Sequence, residues 1–98
     1  MTSQRKRWVI SKIANSARKS IETLDINTEE KILTRLECLQ LNPFSGDVRK
    51  VQGKKNIYRE KTKNYRFYFK AIPKLRSIEI LLFEYRGKIK KKTIQRLK

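Results

Sequence analysis

The sequence predicts an α+β fold in which a helix hairpin is followed by a small sheet that packs on it. The prediction depends on a change of hydrophobic period along the 98 residues. Before Asn42, apolar residues recur every three or four positions, as on one face of a helix. From Val48 onward they alternate with a period of two, as in strands. With 38% apolar residues the chain can bury one modest core, so residues 1–98 are expected to form a single domain with a basic C-terminal tail.

The helical half begins after a short strand that is predicted at Trp8-Val9-Ile10. A first helix is predicted over about residues 12–24. Its apolar stripe consists of Ile10, Ile13, Ala14, Ala17, Ile21 and Leu24. Asn27 with Glu30 three residues later has the form of a capping box, which predicts that a second helix opens there. Asn42-Pro43 ends this helix, because proline disfavours a helical conformation in the residue before it.

Four strands are predicted in the second half, over residues 48–52, 57–61, 65–69 and 78–83. In the third strand, one face consists of Tyr65, Phe67 and Phe69. The other face consists of Arg66, Tyr68 and Lys70. The fourth strand is apolar on both faces, which predicts an interior position in the sheet. A sheet packed on the helix hairpin follows from this pattern.

The chain is strongly basic, with 26 Lys and Arg residues against 9 Asp and Glu residues and a formal net charge of +17. Self-repulsion of this size opposes folding, which disfavours a merely solvated surface and favours a polyanionic partner. Phosphate is the preferred counterpart, because the arginine fork binds it bidentately. The tail, residues 86–98, contains no acid. Five of the acids lie in the helix hairpin, which places the cationic surface on the sheet side: Glu22, Asp25, Glu29, Glu30 and Glu37.

Composition excludes several classes of protein. Cys38 is the only cysteine, so neither an intrachain disulfide nor a cysteine-ligated zinc is expected. The chain has no histidine and its carboxylates show no metal-ligand spacing, so we expect a metal-independent protein without a cofactor. The longest apolar run, Ile80–Phe83, is far shorter than the roughly 20 residues of a membrane span, and the N-terminus has no secretory segment. A cytoplasmic location without membrane contact is predicted.

Five short segments follow the helix hairpin in order: Asn42-Pro43, Lys50–Gly53, Tyr58-Arg59, Asn64–Tyr68 and Tyr85-Arg86. Over about residues 7–90 this arrangement resembles the RelE/ParE toxin superfamily. The resemblance implies a small twisted antiparallel sheet with two helices against one face. It also implies one of two activities, since the ribonuclease branch cuts messenger RNA, usually on the ribosome, and the gyrase-inhibiting branch blocks DNA topoisomerase. Members of both branches are held inactive by a co-encoded antitoxin.

The resemblance also implies site residues. Arg66 matches the arginine of the superfamily's Tyr-Arg strand motif, and Arg86 matches the arginine at the end of the last strand. Arg59 and Lys61 fall near the basic pair that ribonuclease members place on their second strand. Two departures from the pattern are present. Tyr85 stands where many ribonuclease members have a histidine or lysine. Where many have a catalytic tyrosine or histidine some six residues later, this chain has Lys91, Lys92 and Thr93.

Metal-free cleavage of RNA needs a base for the 2′-hydroxyl, donors for the charge that grows on phosphorus, and an acid for the leaving 5′-oxygen. Arg66 and Arg86 suit the second role, because they are always charged and fork-shaped. Lys61 or a tail lysine can act as the base where neighbouring cations disfavour its charged form. Tyr85 can act as base or acid where the neighbouring arginines favour the phenolate. RNA-binding residues are predicted in a turn, a strand and the tail: Lys54, Lys55, Tyr68, Lys88, Lys90, Lys91 and Lys92.

Three functions remain open at this point. The first is a metal-independent endoribonuclease toxin that acts on messenger RNA on the ribosome. The second is a gyrase-inhibiting toxin, which binds without catalysis. The third is a nucleic-acid-binding protein that has the scaffold but neither toxicity nor cleavage. For a toxin, the charge of the chain predicts an acidic antitoxin with a segment that folds on binding and masks Arg66 and Arg86.

Overall fold

The computed structural model describes residues 7–97. The elements in chain order are β1 (Val9–Ile13), α1 (Asn15–Glu22), α2 (Ile26–Leu41), β2 (Val48–Lys50), β3 (Ile57–Lys61), β4 (Tyr65–Ile72), β5 (Ser77–Tyr85) and α3 (Lys91–Gln95). The predicted α+β class is confirmed. Residues 1–6 and Lys98, which belong to the predicted single domain, lie outside the described residues.

The five strands form one sheet in the order β1-β5-β4-β3-β2. Strands β2 to β5 are antiparallel to one another in succession, as predicted. β1 lies at the edge of the sheet and runs parallel to β5. Parallel neighbours need a crossover connection, and here the helix hairpin and three further strands separate the two in sequence. β5 therefore has a strand on each side, in agreement with its predicted interior position.

The core lies between the helix hairpin and one face of the sheet, which we call the helix-bearing face. The rings of Tyr65, Phe67 and Phe69 lie on this face together, as predicted. Full burial of a large apolar side chain stabilises the fold by about 1.5–3 kcal/mol, so this layer is the main source of stability. Both helices and the sheet contribute buried residues to it: Ala17, Ile21, Ile32, Leu36, Leu39, Phe67, Phe69, Ala71, Ile78, Ile80 and Phe83. The opposite side of the sheet is called the open face below.

The first helix is shorter than predicted, because its first predicted turn belongs to strand β1. β1 continues through Ile13, and the amide of Ala14 then donates to the carbonyl oxygen of Ile80 at 2.8 Å. The pairing of β1 with β5 shifts between Ile10 and Lys12. This irregularity places Ile10 and Ile13, three residues apart, against the same core. An extra residue in a strand thus produces a spacing that otherwise indicates a helix face.

The predicted capping box of Asn27 and Glu30 is wrong. α2 begins at Ile26, and Asp25 precedes it with an extended backbone, at φ −67° and ψ 159°. The carbonyl oxygen of Asp25 accepts the first helical hydrogen bond, from the amide of Glu29 at 2.8 Å. Asn27 therefore lies inside the first turn, where its side chain has no free amide ahead of it to cap.

Candidate active site

Cationic side chains occupy neighbouring positions on the open face. Adjacent residues on a strand point to opposite faces, so Arg66 lies on the open face because Phe67 is buried in the core. Strand pairing places Arg66 between Lys61 of β3 and Glu84 of β5. Arg59 lies two residues before Lys61, on the same side of β3. Arg59, Lys61 and Arg66, three of the predicted catalytic residues, therefore lie on the same face of two adjacent strands.

A cleft of about 530 Å³ opens at the end of the sheet where β3 turns into β4 and where β5 ends. It brings together Arg66 and Arg86, the two arginines that are predicted to stabilise charge on phosphorus. The predicted RNA-binding residue Lys88 borders it as well. The complete lining is Thr62, Lys63, Asn64, Tyr65, Arg66, Arg86, Gly87 and Lys88.

Arg86 is held beside the cleft through its backbone. Its amide donates to the carbonyl oxygen of Asn64 at 2.7 Å, and its φ is +56°, in the left-handed region. Thr62 closes the facing turn, since its hydroxyl oxygen accepts from the amides of Asn64 at 3.3 Å and Tyr65 at 3.1 Å. A left-handed backbone at a non-glycine residue costs about 1–2 kcal/mol. Strain of this kind concentrates at functional sites.

Tyr85 lies on the other side of the sheet from Arg66. It pairs with Tyr65, and both rings pack against the core from the helix-bearing face. The guanidinium of Arg86 lies over the Tyr85 ring, 5.2 Å from its centroid, where the ring quadrupole attracts the cation. Tyr85 therefore contacts Arg86, but the structure does not bring its phenol together with Arg66 on the open face.

A buried ion pair that no sequence pattern indicated adjoins the cleft. Glu60 is only 3% exposed and points to the helix-bearing face. Arg35 of α2 donates from Nε to both carboxylate oxygens of Glu60, at 2.8 and 2.9 Å, and from Nη2 to Oε1. The same Nη2 donates to the carbonyl oxygen of Ser45 at 2.7 Å. The Tyr65 hydroxyl donates to Glu60 Oε2 at 2.7 Å, so this network connects α2, the loop after it and two strands.

This network keeps the phenol of Tyr65 protonated. Burial raises the pKa of Tyr65 far above its ordinary range, and the hydrogen bond to Glu60 raises it further. The hydrogen bond to Glu60 also raises the pKa of Arg35, against the opposite effect of burial. Tyr65 borders the cleft, yet it is unsuited as a general base there. A sequence signal did exist. Glu60 lies two residues after Tyr58, on the side of β3 that faces the core, and a carboxylate directed into the core needs a partner.

The other predicted RNA-binding residues are dispersed. Tyr68 is 7% exposed, so its ring is not presented for stacking on a base. Lys54 donates from Nζ to the carbonyl oxygen of Leu97 at 2.9 Å and to that of Gln95, and thus holds the end of the tail. The tail forms the short helix α3, which was not predicted from the sequence. Exposed lysines are present in the β2–β3 connection and in the tail: Lys55, Lys90, Lys91 and Lys92.

Other kinds of site are not found in the part of the chain that the structure describes. Among residues 7–97, no three His, Cys, Asp or Glu side chains are grouped so that they could hold a metal ion. No described helix has the length and apolar character needed to cross a membrane. Cys38 is a half-buried free thiol.

Comparisons with known proteins give matches in structure only. No family model matches the chain, and no curated protein matches it in sequence. The archaeal RelE–RelB complex from Pyrococcus horikoshii OT3 contains a similar chain, with a TM-score of 0.68 and 24% identity over 87% of this chain and 100% of that one. The toxin–antitoxin complex RelBE2 from Mycobacterium tuberculosis matches with a TM-score of 0.67 and 12% identity, over 88% of this chain and 98% of that one. The intact E. coli RelBE complex matches with a TM-score of 0.64 and 17% identity, over 87% and 99%. At these identities the likeness shows the fold, and the chain has the RelE fold.

Proposed function

We propose that this protein is a metal-independent endoribonuclease toxin that cleaves messenger RNA on the ribosome and is neutralised by a cognate antitoxin. The observation that carries the proposal is the convergence of Arg66 and Arg86 on one cleft. The RelE fold supports it, because the similar chains from M. tuberculosis and E. coli come from toxin–antitoxin complexes. The net charge of +17 supports a polyanionic substrate.

Two arginines beside one cleft suit a scissile phosphate. Each guanidinium can donate two parallel hydrogen bonds to non-bridging phosphate oxygens. Negative charge grows on these oxygens as the 2′-oxygen attacks, so the arginines stabilise the transition state more than the bound substrate. Lys61, beside Arg66 in the strand pairing, and Lys88, at the cleft, supply further positive charge for the same phosphate and its neighbours.

The test is cleavage of a defined messenger RNA on programmed ribosomes by the purified protein. Arg66→Ala and Arg86→Ala should each lower the single-turnover rate by about 10²-fold or more, as loss of a positioned donor does in other enzymes. Arg18→Ala in α1 is the matched control, because it removes the same charge from an exposed position on the helix layer. If both site variants cleave as well as the control, the proposed site is wrong.

The proposed antitoxin is acidic, and it covers the cleft. Charge complementarity with a chain of net charge +17 supports this, and the similar archaeal and E. coli structures are complexes of RelE with RelB. Co-expression with the product of an adjacent gene for a small acidic protein should restore growth and yield a copurifying complex. A neighbouring protein that does neither would contradict the proposed partner.

A gyrase-inhibiting toxin is the second candidate. The tail favours it, because α3 and the residue before it present Lys90, Lys91 and Lys92 but no tyrosine or histidine that could take part in catalysis. Inhibition of gyrase supercoiling by the wild type, without cleavage of RNA in the presence or absence of ribosomes, would support this candidate over the ribonuclease. RNA binding without either activity would indicate the third possibility, a non-catalytic nucleic-acid-binding protein.

A further inference from the structure

The chain has no histidine, and three of its four tyrosines pack on the helix-bearing face. Tyr58 and Tyr85 pack against the core from the helix-bearing face. The Tyr65 hydroxyl donates to Glu60, and Tyr68, on the open face, is 7% exposed and lies between Arg59 and Leu82 in the strand pairing. A carboxylate next to the cleft is therefore a candidate for the base of the proposed cleavage.

Glu84 lies next to the cleft on the open face. It faces Arg66 across the pairing of β4 with β5. Its side chain folds against Gly87, which lines the cleft, so closely that a methyl group on the Gly87 α-carbon would lie 2.6 Å from Glu84 Oε1. The missing side chain of Gly87 thus leaves the space that this carboxylate occupies. Glu84 forms no ion pair with any residue that the structure describes.

Lys61, Arg66 and Glu84 form one row across β3, β4 and β5. Neighbouring strands are about 4.8 Å apart, so the α-carbons of the two outer residues are separated by about 10 Å, with Arg66 between them. Displacement at phosphorus is in line, with the attacking and the leaving oxygen on opposite sides. A phosphate bound over Arg66 would therefore have a carboxylate on one side and an ammonium group on the other.

We propose that Glu84 is the general base of the cleavage reaction, an inference that rests on the ribonuclease function proposed above. The Glu84 carboxylate takes the proton of the 2′-hydroxyl as the 2′-oxygen forms a bond to phosphorus. The bond between phosphorus and the 5′-oxygen breaks, its electron pair leaves with that oxygen, and the oxygen takes a proton from the Lys61 ammonium. The products are a 2′,3′-cyclic phosphate and a 5′-hydroxyl end. Glu84 then loses its proton to water and Lys61 regains one.

The first experiment compares Glu84→Gln with Glu79→Gln. Glu79 is the matched control, because it lies on the same strand opposite Lys70 and away from the cleft. Both variants remove one negative charge, so both should bind a messenger RNA with a 2′-deoxy nucleotide at the cleavage site at least as tightly as the wild type. On programmed ribosomes, Glu84→Gln should lower the single-turnover rate by about 10²-fold or more, whereas Glu79→Gln should cleave like the wild type.

If Glu84 is the base, Glu84→Gln lowers the cleavage rate while RNA affinity stays the same or rises, whereas loss of a structural residue lowers both. A Glu84→Gln protein that cleaves like the wild type would overturn the assignment and leave the ribonuclease function intact. A variant that loses cleavage together with RNA affinity or thermal stability would overturn it too, because the loss would then be structural. A wild type that cleaves nothing would remove the ribonuclease function, and with it the role of Glu84.

A second variant moves the carboxylate without removing it. Gly87→Ala places a methyl group against the Glu84 carboxylate, whose flexible end must then shift. Cleavage should fall in the wild-type background, but the same change should have little further effect in the Glu84→Gln background, since coupled residues are not additive. Equal losses in the two backgrounds would show that Gly87 acts independently of Glu84 and would count against the proposal.

Discussion

Glu60 and Glu84 each lie close to an arginine, but they occupy opposite faces of the same sheet. Glu60 is 3% exposed and is bound by Arg35 and Tyr65. Glu84 is half-buried and has no ion-pair partner among the described residues, although Arg66 lies opposite it. A carboxylate between the helices and the sheet must be paired, because an isolated buried charge is very costly. On the open face water solvates the carboxylate, which leaves it available for chemistry.

The largest expected effect compares the arginine that binds Glu60 with the arginine that lies opposite Glu84. Arg35→Met removes the partner of a buried charge, so the free energy of unfolding should fall by about 3–5 kcal/mol. Arg66→Met removes an arginine from the open face and should change it by less than about 0.5 kcal/mol. Urea unfolding followed by circular dichroism measures both values. Equal destabilisation by the two variants would show that the two faces do not differ in this way.

A smaller effect concerns the tyrosine in the buried network. Tyr65→Phe removes a hydrogen bond to a buried carboxylate and should cost about 1.5–3 kcal/mol of unfolding free energy. Tyr58→Phe is the control, because Tyr58 packs against the same core with no hydrogen bond from its hydroxyl among the described residues. Cleavage by Tyr65→Phe should stay close to the wild-type rate where the protein is folded. A loss of about 10²-fold would instead make this phenol an acid or base.

The same tyrosine predicts a dependence of stability on alkaline pH. The pKa of Tyr65 is raised in the folded state, chiefly by burial. The folded protein therefore holds this proton more tightly than the unfolded chain, where tyrosine titrates at pH ~10. Its contribution to stability is fully present below pH ~10 and is lost as the pH rises towards the folded-state pKa. Between about pH 9 and pH 11, the wild type should lose more unfolding free energy than Tyr65→Phe.

The smallest effect concerns the strained backbone of Arg86, at φ +56°. Arg86→Gly and Arg86→Ala both remove the guanidinium, so both should abolish its contribution to cleavage. Glycine adopts the left-handed conformation without a steric penalty, so Arg86→Gly should be more stable than Arg86→Ala by about 1 kcal/mol. Thermal unfolding of the two variants measures this difference. If they are equally stable, the backbone at this position carries no strain.

Periodicity predicted much of the fold because it is a local property of the chain. The strand Ile57–Lys61 has the predicted bounds, and the aromatic face of Tyr65, Phe67 and Phe69 packs on the helices as expected. Periodicity was misleading at β1, where an irregular pairing with β5 makes two strand residues, Ile10 and Ile13, resemble one helix face. The helix α3 was missed because its basic stretch has no apolar period, and its end is held by Lys54 from a distant turn.

The candidate site, like the fold, was predictable from the sequence only in part. The sequence by itself determined that the chain carries a large excess of cations and that alternation separates Arg66 from its aromatic neighbours. Only the tertiary structure decided that Arg86 meets Arg66 at one cleft, that Tyr85 faces the core, and that Glu60 takes its partner from α2. The physical reason is that alternation needs only neighbouring residues, whereas the choice of partner depends on strand order, register and helix packing between segments far apart in the chain.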